Sequence, residues 1–173
     1  VLHVAHCLCS TPRVLRGRAV RYVFSARSPP VSIITLSLPD PLPISWFVLL
    51  KDIRRSNKVD PRNIIGHSDI APLRKLDPGP LFPWKRLADE GLGMWPDAEA
   101  VAQYQVQYAS QLPSITWFQE ELARLGYPTP QTGELDVATR HVLAAFQMHF
   151  RASLFDGTPD AESAAILRAL NHQ

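Results

Sequence analysis

At 173 residues and 46% hydrophobic side chains, the chain is long enough to bury one sizeable core or two small ones, and its composition is that of a soluble protein. The formal net charge is only +2, but it is unevenly spread: residues 1–66 carry ten Lys/Arg against three Asp, while residues 111–173 carry four Arg against seven acids. No apolar run reaches the roughly 20 residues that span a bilayer, and the basic N-terminal part has neither the helical basic face nor the interleaved aromatics of a nucleic-acid site, so both of those partners are excluded.

Val1 opens directly on an apolar, strand-like segment with no charged start, so no signal peptide is visible, and any export signal is expected to lie outside this sequence. His3, His6, Cys7 and Cys9 form a His-x-x-His-Cys-x-Cys string that can be read as a soft-metal cluster, although it lacks zinc-finger spacing and a second half. Two cysteines two residues apart on a strand share a face and rarely close a disulfide. Residues 10–45 hold six Pro, six Ser and five Arg with one acid, Asp40, which is a poor composition for a sheet core. Strand-like patches occur at 21–25 and 31–38. Prolines at 29, 30, 39, 41 and 43 are nevertheless expected to leave this stretch loosely packed, with few paired strands.

From residue 46 the pattern sharpens. Apolar residues at 46, 49, 50 and 53 trace one face of an amphipathic helix over 46–55. Asp60-Pro61 ends the helical region, and residues 63–66 read as a short buried strand with His67 at its end. The segment 67–80 follows as an extended loop, kept from coiling by Pro72, Pro78 and Pro80. It sets Lys75 eight and Asp77 ten positions after His67. A neutral imidazole and a carboxylate are both zinc ligands, and a catalytic zinc needs only three protein ligands with a fourth position left for water. A lysine beside such a metal can hold the negative charge that develops on an attacked amide carbonyl. From spacing alone, a solvated surface loop explains the same residues.

The C-terminal part reads as three short helices. Ile115, Phe118, Leu122 and Leu125 share a face that ends at Gly126, a natural helix stop. Asp136 opens a second helix with Val142, Leu143, Phe146 and Phe150 along its buried stripe, and Asp160 opens a third running to Leu170. Gly133 and Gly157 fall in the turns, and His141 and His149 are expected on the helix surface.

The string Asn63-Ile-Ile-Gly-His-Ser-Asp-Ile-Ala-Pro72, followed by Arg-Lys-x-Asp-Pro-Gly-Pro-Leu-Phe-Pro-Trp84 and Gly91-Leu-Gly-Met-Trp-Pro-Asp97, resembles the metal-site segment of the zinc-dependent N-acetylmuramoyl-L-alanine amidases (type 2 family, AmiD-like). The resemblance covers about residues 46–173. Leu-x-x-Leu-Gly-Tyr127, Thr139 with Ala144-Ala-Phe-Gln147, and Asp156-Gly157 resemble the peptidoglycan-binding module appended to wall hydrolases. The resemblance implies an α/β fold, a partial mixed-sheet amidase domain over 1–97 that is divergent in 1–45 and well matched in 46–97. A connecting helix or linker at 98–110 and a small all-α three-helix domain at 111–173 complete it.

It further implies a peptidoglycan hydrolase that cleaves the amide between N-acetylmuramic acid and L-alanine. His67 and Asp77 would be zinc ligands, His3 the third, and Lys75 the transition-state stabiliser. The implied substrate is peptidoglycan or a muropeptide, the implied location the periplasm or cell envelope, and the expected state a monomer. The departure from the family lies in its catalytic glutamate, because the first Glu in this chain is Glu90, beyond the metal loop. Asp40 between two prolines reads as a turn residue and Asp52 as a solvated ion pair, so neither is an obvious replacement base. The alternative is a non-catalytic wall-binding protein with a vestigial metal loop.

Overall fold

The computed structural model describes residues 21–24, 32–36 and 44–173, with side chains from residue 47 onward. These residues are mostly helical with little sheet. There are three short strands, β1 (Arg21–Phe24), β2 (Ser32–Leu36) and β3 (Ile64–Gly66). Against them stand seven α-helices, α1 (Ile44–Asn57), α2 (His67–Ile70), α3 (Trp84–Asp89), α4 (Ala98–Ser110), α5 (Ile115–Leu125), α6 (Val137–Phe150) and α7 (Ala161–Asn171). The strands form one sheet in the order β1-β2-β3. β1 runs antiparallel to β2 with Arg21 opposite Thr35, and β2 runs parallel to β3 with Ile34 opposite Ile64. Within 10–45 the described residues of the two strand-like patches are β1 and β2, which pair with each other, and the prolines at 29, 30, 39, 41 and 43 lie outside the described residues.

α1 forms over the predicted stretch, and its inner face is Phe47, Leu50 and Ile53, with Leu49 packed at the margin. The helix ends where Lys58 takes a positive φ of 50°. Asp60 then caps a single 3-10 turn over Pro61–Asn63 by accepting from the Arg62 N–H at 2.9 Å, and that turn delivers the chain into β3. Val59, Ile64, Phe82, Trp84, Leu87 and Leu92 complete a first apolar core around α1. The segment after β3 is not wholly the extended loop read from the prolines. Its first four residues close one helical turn, α2, because the Asp69 carboxylate reaches back to accept the Gly66 N–H at 2.6 Å.

A second core gathers the C-terminal helices around Phe118, Leu122, Leu143, Phe146 and Leu167. Each helix begins on a side-chain cap: Asp97 accepts from Ala100 N–H, Ser114 from Trp117 N–H, Asp136 from Thr139 N–H and Asp160 from Ser163 N–H. α5 stops at Gly126, whose φ of 106° needs a residue without Cβ. Residues 98–110, read as a connecting helix or linker, form a helix that packs along α7 and contributes Tyr108 to this core. Two buried glutamines lock the turns. Gln119 accepts from the Gly133 N–H at 2.8 Å and donates to Thr139 Oγ1, while Gln147 accepts from the Gly157 N–H at 2.9 Å and donates to Ser163 Oγ. Gly157 also admits no side chain, since a Cβ there would lie 2.3 Å from the Arg140 carbonyl oxygen.

Phe146 is fully buried and touches the rings of Tyr127 and Phe150. Phe146→Ala is expected to cost about 3–5 kcal/mol, a large share of the stability of a domain this size, read as a lowered denaturant midpoint at unchanged slope.

Candidate functional site

The candidate site begins where β3 ends. The parallel pairing of β2 and β3 carries Gly66 opposite Leu36, so His67 leaves the sheet at a fixed position. Gly66 is glycine for lack of room: a Cβ there would stand 3.0 Å from Pro78 Cδ and 3.1 Å from both Asp69 Oδ2 and Ser68 Oγ. The chain then turns through α2 and comes back along 77–80, where the Asp77–Pro78 bond is cis. The Ser68 N–H donates to the Asp77 carbonyl at 2.9 Å and the Lys75 N–H to the Ala71 carbonyl at 3.0 Å, which ties the two ends of the segment together.

The consequence is that His67 and Asp77, ten positions apart, meet. His67 Nδ1 lies 3.1 Å from Asp77 Oδ2, and both side chains are partly exposed. Lys75 is half-buried on the same segment. Two donor atoms bound to one tetrahedral zinc at about 2.0–2.1 Å stand roughly 3.3 Å apart, so this imidazole and carboxylate fit a shared metal as well as a mutual hydrogen bond. Among the described residues no group of three His, Cys, Asp or Glu is gathered to hold a metal. His3, the expected third ligand, and the cluster of His6, Cys7 and Cys9 lie outside the described residues. Asp40 does too. Asp52 sits as an exposed pair with Arg55 at 3.1 Å, and Glu90 is paired with Lys51 at 2.6 Å.

Directly behind this segment is a buried polar cluster that sequence reasoning missed. Asp69 is 4% exposed. Its Oδ1 accepts the Tyr127 hydroxyl at 2.7 Å, and its Oδ2 accepts the Gly66 N–H and faces His149 Nδ1 at 2.8 Å. The expectation that His149 is a surface residue is thus corrected; of the two histidines on α6, His141 is exposed and His149 buried. The His149 ring stacks on Trp84 at 3.8 Å between centroids and on Phe150 at 4.1 Å. The signal was present in the helix period, since 149 falls seven after Val142 and three after Phe146 on the buried stripe of α6. Burial first, and then the adjoining Asp69 carboxylate, push the Tyr127 phenol well above the ordinary tyrosine range.

The geometry can be set beside known proteins. Residues 111–167 match the family described as "Putative peptidoglycan binding domain". The N-acetylmuramoyl-L-alanine amidase AmiD of Escherichia coli (strain K12) is 47% identical over 128 residues, which is 70% of this chain and 44% of AmiD. The 1,6-anhydro-N-acetylmuramyl-L-alanine amidase AmpD of Enterobacter cloacae is 75% identical over 24 residues, 14% of this chain and 13% of AmpD.

The chain is homologous to the AmiD and AmpD amidases.

Solved structures agree. The complex of E. coli AmiD with its substrate anhydro-N-acetylmuramic acid-L-Ala-D-γ-Glu-L-Lys aligns with a TM-score of 0.66 at 41% identity, over 74% of this chain and 50% of that one. AmpDh3 of Pseudomonas aeruginosa, in complex with anhydromuramic pentapeptide, aligns with a TM-score of 0.72 at 39% identity, over 79% of this chain and 55% of that one. The chain therefore spans less than half the length of the AmiD sequence and about half of these two structures. Among the described residues no helix is long and apolar enough to cross a membrane.

The raised Tyr127 value gives a pH dependence with a definite sign. The fold favours the neutral phenol, so that contribution is complete below the unfolded tyrosine pKa of about 10 and is lost as pH rises beyond it. Stability of the parent chain should fall more steeply above that pH than stability of Tyr127→Phe, as read by urea unfolding across an alkaline series.

Proposed function

We propose that this chain acts on peptidoglycan as a zinc-dependent N-acetylmuramoyl-L-alanine amidase, hydrolysing the amide between the lactyl group of N-acetylmuramic acid and L-alanine. The observation that carries this reading is the meeting of His67 and Asp77 at the end of β3, 3.1 Å apart, in a chain homologous to AmiD. His67 and Asp77 would hold the zinc, with His3 as third ligand. Zinc held there supplies a Lewis acid for the amide carbonyl and a bound water with a pKa near about 7. Lys75, half-buried beside Asp77 in sequence, places an ammonium to steady the charge that develops on the carbonyl oxygen. Residues 1–97 form the amidase part in this reading, with a small mixed sheet, residues 98–110 the connection, and residues 111–173 the module that holds wall polymer, the whole working as a monomer in the periplasm or cell envelope.

A second reading has one observation in its favour. The chain has no Glu before Glu90, and Glu90 and Asp52 are both engaged in ion pairs on or with α1. General acid–base help is typically worth about 10²–10⁴ in rate, so a metal site without its base would bind wall and turn over slowly, which describes a wall-binding protein with a vestigial metal loop. Zinc content together with release of peptide from purified peptidoglycan separates the two.

The purified chain is expected to take up about one zinc, with His67→Ala and Asp77→Ala each lowering affinity steeply and Cys7→Ser and Cys9→Ser leaving it unchanged. Lys75→Ala should keep the zinc and lower peptide release by about 10²–10³-fold. Zinc that survives loss of His67 but departs with the cysteines would place the metal in the N-terminal cluster instead.

A further inference from the structure

We infer that Asp69 is a positioning residue for His67, and that His149 and Tyr127 from the C-terminal helical part complete the candidate metal site by holding Asp69 in place. This rests on the amidase reading, and it makes the wall-binding helices a structural component of that site rather than an appended adhesive.

The inference follows from where the bonds fall. His67 lies between two pinned backbone positions. Gly66 on one side donates its N–H to Asp69 at 2.6 Å, and Ser68 on the other donates its N–H to the Asp77 carbonyl at 2.9 Å. The first of these anchors is only as firm as the Asp69 carboxylate, and that carboxylate is held from outside α2 by the Tyr127 hydroxyl at 2.7 Å and His149 Nδ1 at 2.8 Å. The phenol stays a donor because burial disfavours its ionised form. His149 is itself fixed by stacking on Trp84, which opens α3 in the first core. At 4% exposure Asp69 has no access to a substrate, so whatever it contributes to chemistry passes through the orientation of His67. A packing role alone would be served by an apolar side chain, without desolvating a carboxylate.

The experiment uses the full chain with His149→Phe, which keeps a ring against Trp84 but removes the hydrogen bond. Val142→Ala serves as a control that loosens α6 without touching Asp69. Zinc affinity is read by chelator competition, kcat and KM on muropeptide, and the ring nitrogen resonances of His67 in metal-free protein. His149→Phe should weaken zinc about 10–100-fold and Val142→Ala by no more than about twofold, the range usual for partners that orient a metal-bound histidine. It should lower kcat with KM held, and it should shift the His67 resonances where Val142→Ala does not. Folded His149→Phe with parental zinc affinity and parental His67 resonances would overturn the inference. Should the parent chain bind no zinc, the amidase reading fails, and the His67 resonances alone still decide the positioning role. Should His149→Phe not fold, Tyr127→Phe removes a single donor and is judged on the same readouts.

Discussion

A carboxylate with almost no access to water governs how this chain is put together. Burying such a group is tolerable only when donors replace its hydration, and Asp69 takes one donor from the residue before His67 and two partners from positions 58 and 80 residues further along. Satisfying Asp69 therefore requires that α6 and the start of the Tyr127 turn come back against β3 and α2. Once they do, Trp84 meets His149, and Trp95 packs against both apolar cores. Removing one partner from such a cluster is worth about 3–5 kcal/mol in comparable buried pairs, enough to make the junction as consequential as either core.

The C-terminal helices use the same logic in uncharged form. Gln119 and Gln147 are fully buried amides, and each gives its oxygen to the N–H of a glycine in a positive-φ turn and its nitrogen to a hydroxyl at a neighbouring helix. A buried amide of this kind is satisfied in only one arrangement of turn and helix, so it fixes loop geometry that apolar packing alone would leave loose. The result is a stiff platform behind α2. On the proposed reading function would depend on that stiffness, because a ligand pair held within a few tenths of an ångström needs support that does not itself move.

Much of this was legible beforehand, and for identifiable reasons. The caps at Asp136 and Asp160 are local events decided by residues three apart, and they form as read. β3 with His67 at its end, the exposed Asp52–Arg55 pair and the inward stripe of Phe118, Leu122, Val142 and Phe146 likewise follow from short-range pattern. What escaped was long-range or chemically disguised. His149 is polar by type, and only the α6 period, followed past Phe146, shows that it must point inward. Asp69 carries no local signal of burial, since Tyr127 and His149 lie 58 and 80 residues away in sequence. The turn α2 hid behind the prolines that follow it, whereas the strand-like patches that hold β1 and β2 were visible in the sequence.

The same accounting bears on catalysis. On the proposed reading His67 and Asp77, which face each other at 3.1 Å, would be two ligands already brought together, leaving little reorganisation for a metal to impose. The carboxylates that might move a proton are more constrained. Asp69 is enclosed, Asp52 and Glu90 are drawn off by Arg55 and Lys51, and Asp77 is engaged with His67. On that reading, metal affinity and turnover would depend on different parts of this chain. The first rests on a segment anchored from both sides by β3 and the C-terminal helices. The second would require a base, and none of these four carboxylates is placed to supply it, so the proposed reading separates holding a metal from turning over substrate.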